Sequence, residues 1–269
     1  MTETFKARLQ GSPWDLWGLS KIFDGTNDDA THIHAKDPES VRLDMRNAEH
    51  REHFAHFGNE THADLTSNSF RLEFPFGSQD MYKLVMPVLN RVNAIGHLLD
   101  PDYWPVTLFD CVYARPGSIS FNHFGGGNKW KDKTGLGDQS QVPFAFDAFE
   151  LGSDNAAISF VMEALNLPTT WASMYLIYEA IRDNVGGLEP LKQYGFATRQ
   201  ELNDFTFAAN MCRTLSEGIR HAPQLHAPTP SHISLSEARQ ITNKLAVAWL
   251  EAWRSVQAEE RKKGEGRSA

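Results

Sequence analysis

The chain is predicted to be an α+β protein: a small, mostly antiparallel sheet with one long helix, followed by a helical C-terminal region. Three observations predict this. Apolar and polar residues alternate in several short runs of the first half. The apolar period lengthens to that of a helix from Ser78 onward. From Thr169 to Val256, well-capped helical runs then follow one another. The expected division is an α+β region over residues 1–145, a helical region over 146–258 and a disordered tail over 259–269.

Phe5, Ala7 and Leu9 alternate with Lys6 and Arg8, so residues 4–9 suit a half-buried strand. Val41, Leu43 and Met45 repeat the pattern. Phe70, Leu72, Phe74 and Phe76 do so again, with Pro75 pointing to an edge or strand end. Met81, Leu84, Val85, Val88, Val92, Ile95 and Leu99 then share one helical face. Ser78 is placed to cap that helix and Asp100-Pro101 to end it. Pro87 lacks the donor the preceding turn needs, so a kink or a later start is expected there.

Residues 106–113 and 119–124 form a hairpin pattern joined through Arg115-Pro116-Gly117. The run from Gly125 to Asp138 has five glycines and three lysines and reads as a loop.

Beyond it, a helix is expected over 154–166, and Thr170 caps another whose wide apolar stripe runs from Trp171 to Val185. Gly186-Gly187 stops that helix. Thr198-Arg199-Gln200-Glu201 and Ser234-Leu235-Ser236-Glu237 are capping boxes, in which a hydroxyl and a carboxylate satisfy each other's exposed backbone donors. The first helix should bury Leu202, Phe205 and Ala209. The second should turn Ala238, Ile241, Leu245, Trp249 and Val256 to one side.

A net charge of −8 argues against generic attraction to a nucleic-acid backbone. Two cysteines, Cys111 and Cys212, cannot frame a disulfide scaffold, which favours a reducing cytoplasm. No segment has the apolar length of a membrane span or a signal peptide.

Several stretches together look like the C-terminal part of a group of uncharacterised bacterial proteins. They are Tyr178-Glu179-Ala180-Ile181-Arg182-Asp183-Asn184-Val185-Gly186-Gly187, residues 205–210, residues 218–222 and Leu235-Ser236-Glu237-Ala238. The resemblance covers roughly the last third of the chain and implies a helical module with no assigned activity.

Three constellations bear on chemistry. The first lies between helical runs and holds Arg213, Glu217, Arg220 and His221. Arginine followed by histidine in a small helical domain is the arrangement of HEPN-type ribonucleases, arginine stabilising phosphate charge and histidine moving protons. Seven residues separate Arg213 from His221, slightly more than that arrangement uses, and Gly218 interrupts the helix.

The second is a histidine-rich stretch. His32 and His34 share a face if extended, and His50 and His53 lie one turn apart if helical. Imidazoles so spaced can hold zinc, manganese or iron. The third is the glycine–lysine loop with Trp130 at its centre, which fits neither the phosphate-loop nor the dinucleotide fingerprint.

Without a recognisable catalytic signature, the leading expectation is binding of a macromolecular partner. That partner is a protein, a second copy through the C-terminal helix, or RNA; no membrane and no particular cofactor is implied. Metal-independent RNA cleavage at Arg213, Arg220 and His221 and metal-dependent chemistry at His32, His34, His50 and His53 are the enzymatic alternatives.

Overall fold

The computed structural model describes residues 4–23, 31–35, 62–67, 70, 78–115, 118–123, 134–136, 138–195, 197–211 and 233–265. They fall into two compact units, Met1–Phe146 and Asp147–Ala269. The fold is α+β, as the sequence predicts.

The first unit is built on an antiparallel sheet of β1 (Thr4–Gln10), β2 (His32–His34), β3 (His62–Thr66), β4 (Thr107–Arg115) and β5 (Ser118–His123). Their spatial order is β2-β3-β1-β4-β5, so the first strand of the chain is the central one. Strict alternation decides its faces. Ala7, Leu9, Ile33, Leu65 and Cys111 are fully buried on one side, while Lys6, Arg8, Asp64 and His34 occupy the other. Two helices join that core: α1 (Pro13–Ile22), over β2 and β3, and α2 (Ser78–Leu99), against β4.

The alternation is broken once. Arg8 pairs with Asp110, but the next residue, Leu9, pairs with Leu108, leaving Phe109 as an extra residue in β4. Counting strictly from Leu108 would put Asp110 on the core side. The bulge absorbs Phe109 and returns Asp110 to the side of Arg8.

Helix α1 begins with Pro13 after Ser12, a start the sequence reading did not mark. Helix α2 starts at Ser78 and ends before Asp100, as expected, but Pro87 neither delays nor divides it. Both Pro87 and Lys83, whose carbonyl loses its donor, lie on the exposed side of the helix. The Phe70 region contributes no strand at Phe70 itself, and residues 41–45 and 71–77 lie outside the described residues.

A short 3₁₀ turn (Gln139–Gln141) leads into α3 (Val142–Asp154), a helix absent from the sequence reading. The division between the two units falls within it.

The second unit contains α4 (Ala156–Leu165), α5 (Trp171–Asn184), α6 (Leu188–Lys192), α7 (Arg199–Met211) and α8 (Leu235–Glu265). Asn155 caps α4 by accepting from the Ala157 and Ile158 amides. Thr170 and Ser173 form a reciprocal cap on α5, and the two expected capping boxes are present at Thr198/Glu201 and Ser234/Glu237.

The wide apolar stripe of α5 is explained by its neighbours, since α4, α6, α7 and α8 all pack on it. Tyr175, Tyr178 and Phe205 make the seam with α7, their ring centroids 5.4–6.2 Å apart. Leu202, Phe205 and Ala209 are buried as predicted. So are Ala238, Ile241, Leu245 and Trp249 of α8, whereas Val256 remains half exposed. Helix α8 continues to Glu265, into the stretch expected to be disordered. Among the described residues, no helix is long and apolar enough to cross a membrane.

Candidate functional site

The charged side of the sheet carries one row of paired residues across all five strands. In register order it reads His34, Asp64, Arg8, Asp110, His123. At its centre the Arg8 guanidinium reaches both carboxylates: Nη1 lies 3.3 Å from Asp110 Oδ2 and Nε lies 3.8 Å from Asp64 Oδ1. Lys6, two residues along β1 and so on the same side, closes on Asp64 Oδ2 at 3.1 Å. Asp110 is deeper than Lys6, Arg8 or Asp64, and the bulge at Phe109 is what brings it to their side.

Arg8 and Lys6 together balance the two carboxylates, and Arg8 ties β1 to both neighbours. The row also affects the core side. Burial, and then the negative charge of Asp110, push the Cys111 thiol up to about 12. Cys111 is thus a protonated, enclosed thiol and not a nucleophile at neutral pH.

A second polar cluster lies beyond the end of α2. Asn93 spans the Val106 peptide: its Nδ2 donates to the Val106 carbonyl at 2.9 Å and its Oδ1 accepts from the Val106 amide at 3.0 Å. The same Oδ1 accepts from the Tyr103 hydroxyl at 2.5 Å. Burial pushes this phenol well above its ordinary range; the nearby Asp15 adds to the rise, and a hydrogen bond with the Val106 backbone opposes it. Gly96 is needed here, because a Cβ would fall 2.5 Å from the Tyr103 ring.

Next to it, the Thr134 hydroxyl lies between two buried carboxylates, 3.0 Å from Asp15 Oδ1 and 3.3 Å from Asp100 Oδ2. Asp100 Oδ2 also accepts from the Gly135 amide at 2.8 Å, and Asp15 Oδ2 from the Trp104 amide at 3.2 Å. The end of the glycine–lysine stretch is thereby bolted to α1 and to the C-terminal end of α2, while residues 125–133 lie outside the described residues.

Of the predicted metal ligands, His32 and His34 do share a face of β2, their rings parallel with centroids 6.3 Å apart. His34 is in register with Asp64, but that carboxylate is engaged by Lys6 and Arg8. Among the described residues, no group of three or more His, Cys, Asp or Glu side chains is disposed to hold a metal ion. His50 and His53 lie outside the described residues, as do Arg213, Glu217, Arg220 and His221.

The sequence reading missed Arg8, Asp64 and Asp110. Its only trace of them was the placement of Lys6 and Arg8 on the polar side of an alternating strand.

Among the described residues of the helical unit, clefts lie at both ends of α5. One, of about 460 Å³, lies at the start of α5 and is lined by Leu167, Pro168, Ala172 and Leu176, with Thr170 and Glu179 among its polar groups. Leu167 and Leu176 are 46% and 38% exposed and lie together at this one cleft. The other lies at the opposite end of α5, between α6 and α8. No family model, no curated protein and no solved structure matches the chain.

Proposed function

We propose that the protein acts by binding a protein partner through the cleft at the start of α5. The observation that carries this reading is the cluster of Leu167, Pro168, Ala172 and Leu176 around one concave surface, with two leucines left open to water. A contiguous apolar surface with polar groups at its margin is the usual form of a protein-recognition site. The cap at Thr170 and Ser173 fixes the first turn of α5, so the surface is rigid before a partner arrives. The negative net charge agrees with a protein partner better than with attraction to a nucleic-acid backbone. The reading takes the protein as cytoplasmic, in keeping with its two cysteines.

The test is a photo-crosslinking residue placed at Leu176 and, as a control, at Glu150 on α3, each expressed in the native host. A discrete protein adduct is expected from position 176 and not from 150. The captured protein, purified, should bind the parent chain and lose binding to Leu176→Asp, whose unfolding temperature should stay unchanged. Equal labelling at both positions, or unaltered binding by Leu176→Asp, would sink the reading.

A further inference from the structure

The cleft at the far end of α5 differs in chemistry from the apolar one. Asn184 is the last residue of α5, and the chain turns there through Gly186 and Gly187 at φ of 86° and 121°, a conformation that favours glycine. The turn leads at once into α6, whose Pro190, with Gln193 and Tyr194 just beyond, forms one wall of a cleft of about 450 Å³. Trp249 and Trp253, one turn apart on α8, form the other side.

Trp249 is buried and makes the floor, while Trp253 and Tyr194 are half-buried and Asn184 and Gln193 are exposed. The Trp249 indole N–H donates to Asn184 Oδ1 at 3.2 Å. This bond fixes the amide, so that its NH₂ group is the part left to donate. No Asp, Glu, Lys, Arg or His lines the cleft among the described residues.

We propose that this cleft is a binding site for a neutral saccharide. A phosphate or carboxylate would find no cation among the described lining residues. An ammonium group could lie on the aromatic faces but would make no use of the Asn184 and Gln193 NH₂ donors. Indole and phenol faces are flat apolar surfaces suited to the C–H face of a pyranose ring. Asn184, Gln193, Tyr194 and Trp253 bring amide, hydroxyl and indole groups to the lining, donors and acceptors of the kind that the paired hydroxyls around such a ring require. A polyproline segment, another ligand of aromatic clefts, offers carbonyl acceptors alone and would use only the donors of the lining. The volume lies within the range of small-ligand sites. The site is independent of the partner-binding surface at the start of α5, so either proposal can fail alone.

The experiment is titration of the full chain, followed by tryptophan emission and saturation-transfer NMR. The probes are glucose, galactose, N-acetylglucosamine, maltose, cellobiose and chitobiose, with a decaproline peptide and adenosine as rivals. At least one sugar should bind saturably and shift the emission. Trp253→Ala should weaken that binding by about tenfold or more, the loss expected when an aromatic platform is removed. Gln193→Ala, an exposed substitution that leaves packing alone, should weaken it as well and decides the matter if Trp253→Ala fails to fold. Leu176→Ala should have no effect. Failure of every sugar to bind, binding of decaproline or adenosine instead, or sugar binding unaltered by Gln193→Ala and Trp253→Ala would overturn the proposal.

Discussion

Arg8 serves two carboxylates at once, so the charges on the sheet are not interchangeable. Lys6 is about half exposed and reaches one partner that Arg8 also reaches, whereas Arg8 faces Asp110, whose side chain is only 10% exposed. Removing Arg8 leaves that carboxylate enclosed without its guanidinium. Arg8→Met is therefore expected to destabilise the protein by about 2 kcal/mol, and Lys6→Met by about 0.5 kcal/mol or less, in urea denaturation. Equal effects would mean that the row is a solvated set of surface pairs. The alternation of Lys6 and Arg8 was legible in the sequence because period two is a local property. Their partners were not, because Asp64 and Asp110 become neighbours of Arg8 only once β3 and β4 flank β1.

Helices were easier to read than strands, and their caps show why. Thr198/Glu201 and Ser234/Glu237 are complete within four residues, so no distant contact is needed to specify them. Ser234→Ala should lower stability by about 1 kcal/mol, the usual worth of an N-cap side chain, measured by thermal unfolding of the helical signal. Backbone and hydroxyl donors from Ser234 hold the Glu237 carboxyl below its ordinary range, and those from Thr198 do the same for Glu201. A depressed carboxyl contributes stability above its unfolded pKa and loses it as pH falls through the folded value, so both caps should weaken on acidification.

Pro87 is the opposite case, a local rule overridden by tertiary packing. Met81, Val85, Val88, Val92 and Ile95 are all buried along one stripe of α2, and that burial outweighs one missing backbone bond. Pro87→Ala should restore the bond and raise stability by about 2 kcal/mol. A neutral or destabilising result would show that the proline limits the unfolded chain more than it disturbs the helix.

The two units should respond differently to alkali. Cys111 and Tyr103 are enclosed in the first unit, and burial displaces their pKa values upward, Cys111 from 9.0 to about 12. A group raised in this way contributes full stability below its unfolded pKa and loses it as pH climbs toward the folded value. Tyr178 of the second unit is displaced in the same direction, but Arg182 beside it opposes the rise. Amide exchange at about pH 10, corrected for the intrinsic rate, should therefore show protection falling in the first unit before the second. Simultaneous loss would contradict this.

At this scale the fold class was readable from the change of period at Ser78. Helix α3, within which the division between the units falls, was not, because no capping residue or regular apolar stripe marked it in the sequence.

The extra residue in β4 also makes a statement about which lengths this chain can tolerate. Losing one residue from a strand normally turns every following side chain inside out. At Phe109 alone, the loss would make β4 regular, with Leu108 and Cys111 still facing inward and Asp110 still beside Arg8. The same loss at Val112 would reverse one end of the strand against the other. Length variation in this strand should thus be confined to a single position, a constraint set by the arithmetic of pairing more than by the chemistry of phenylalanine.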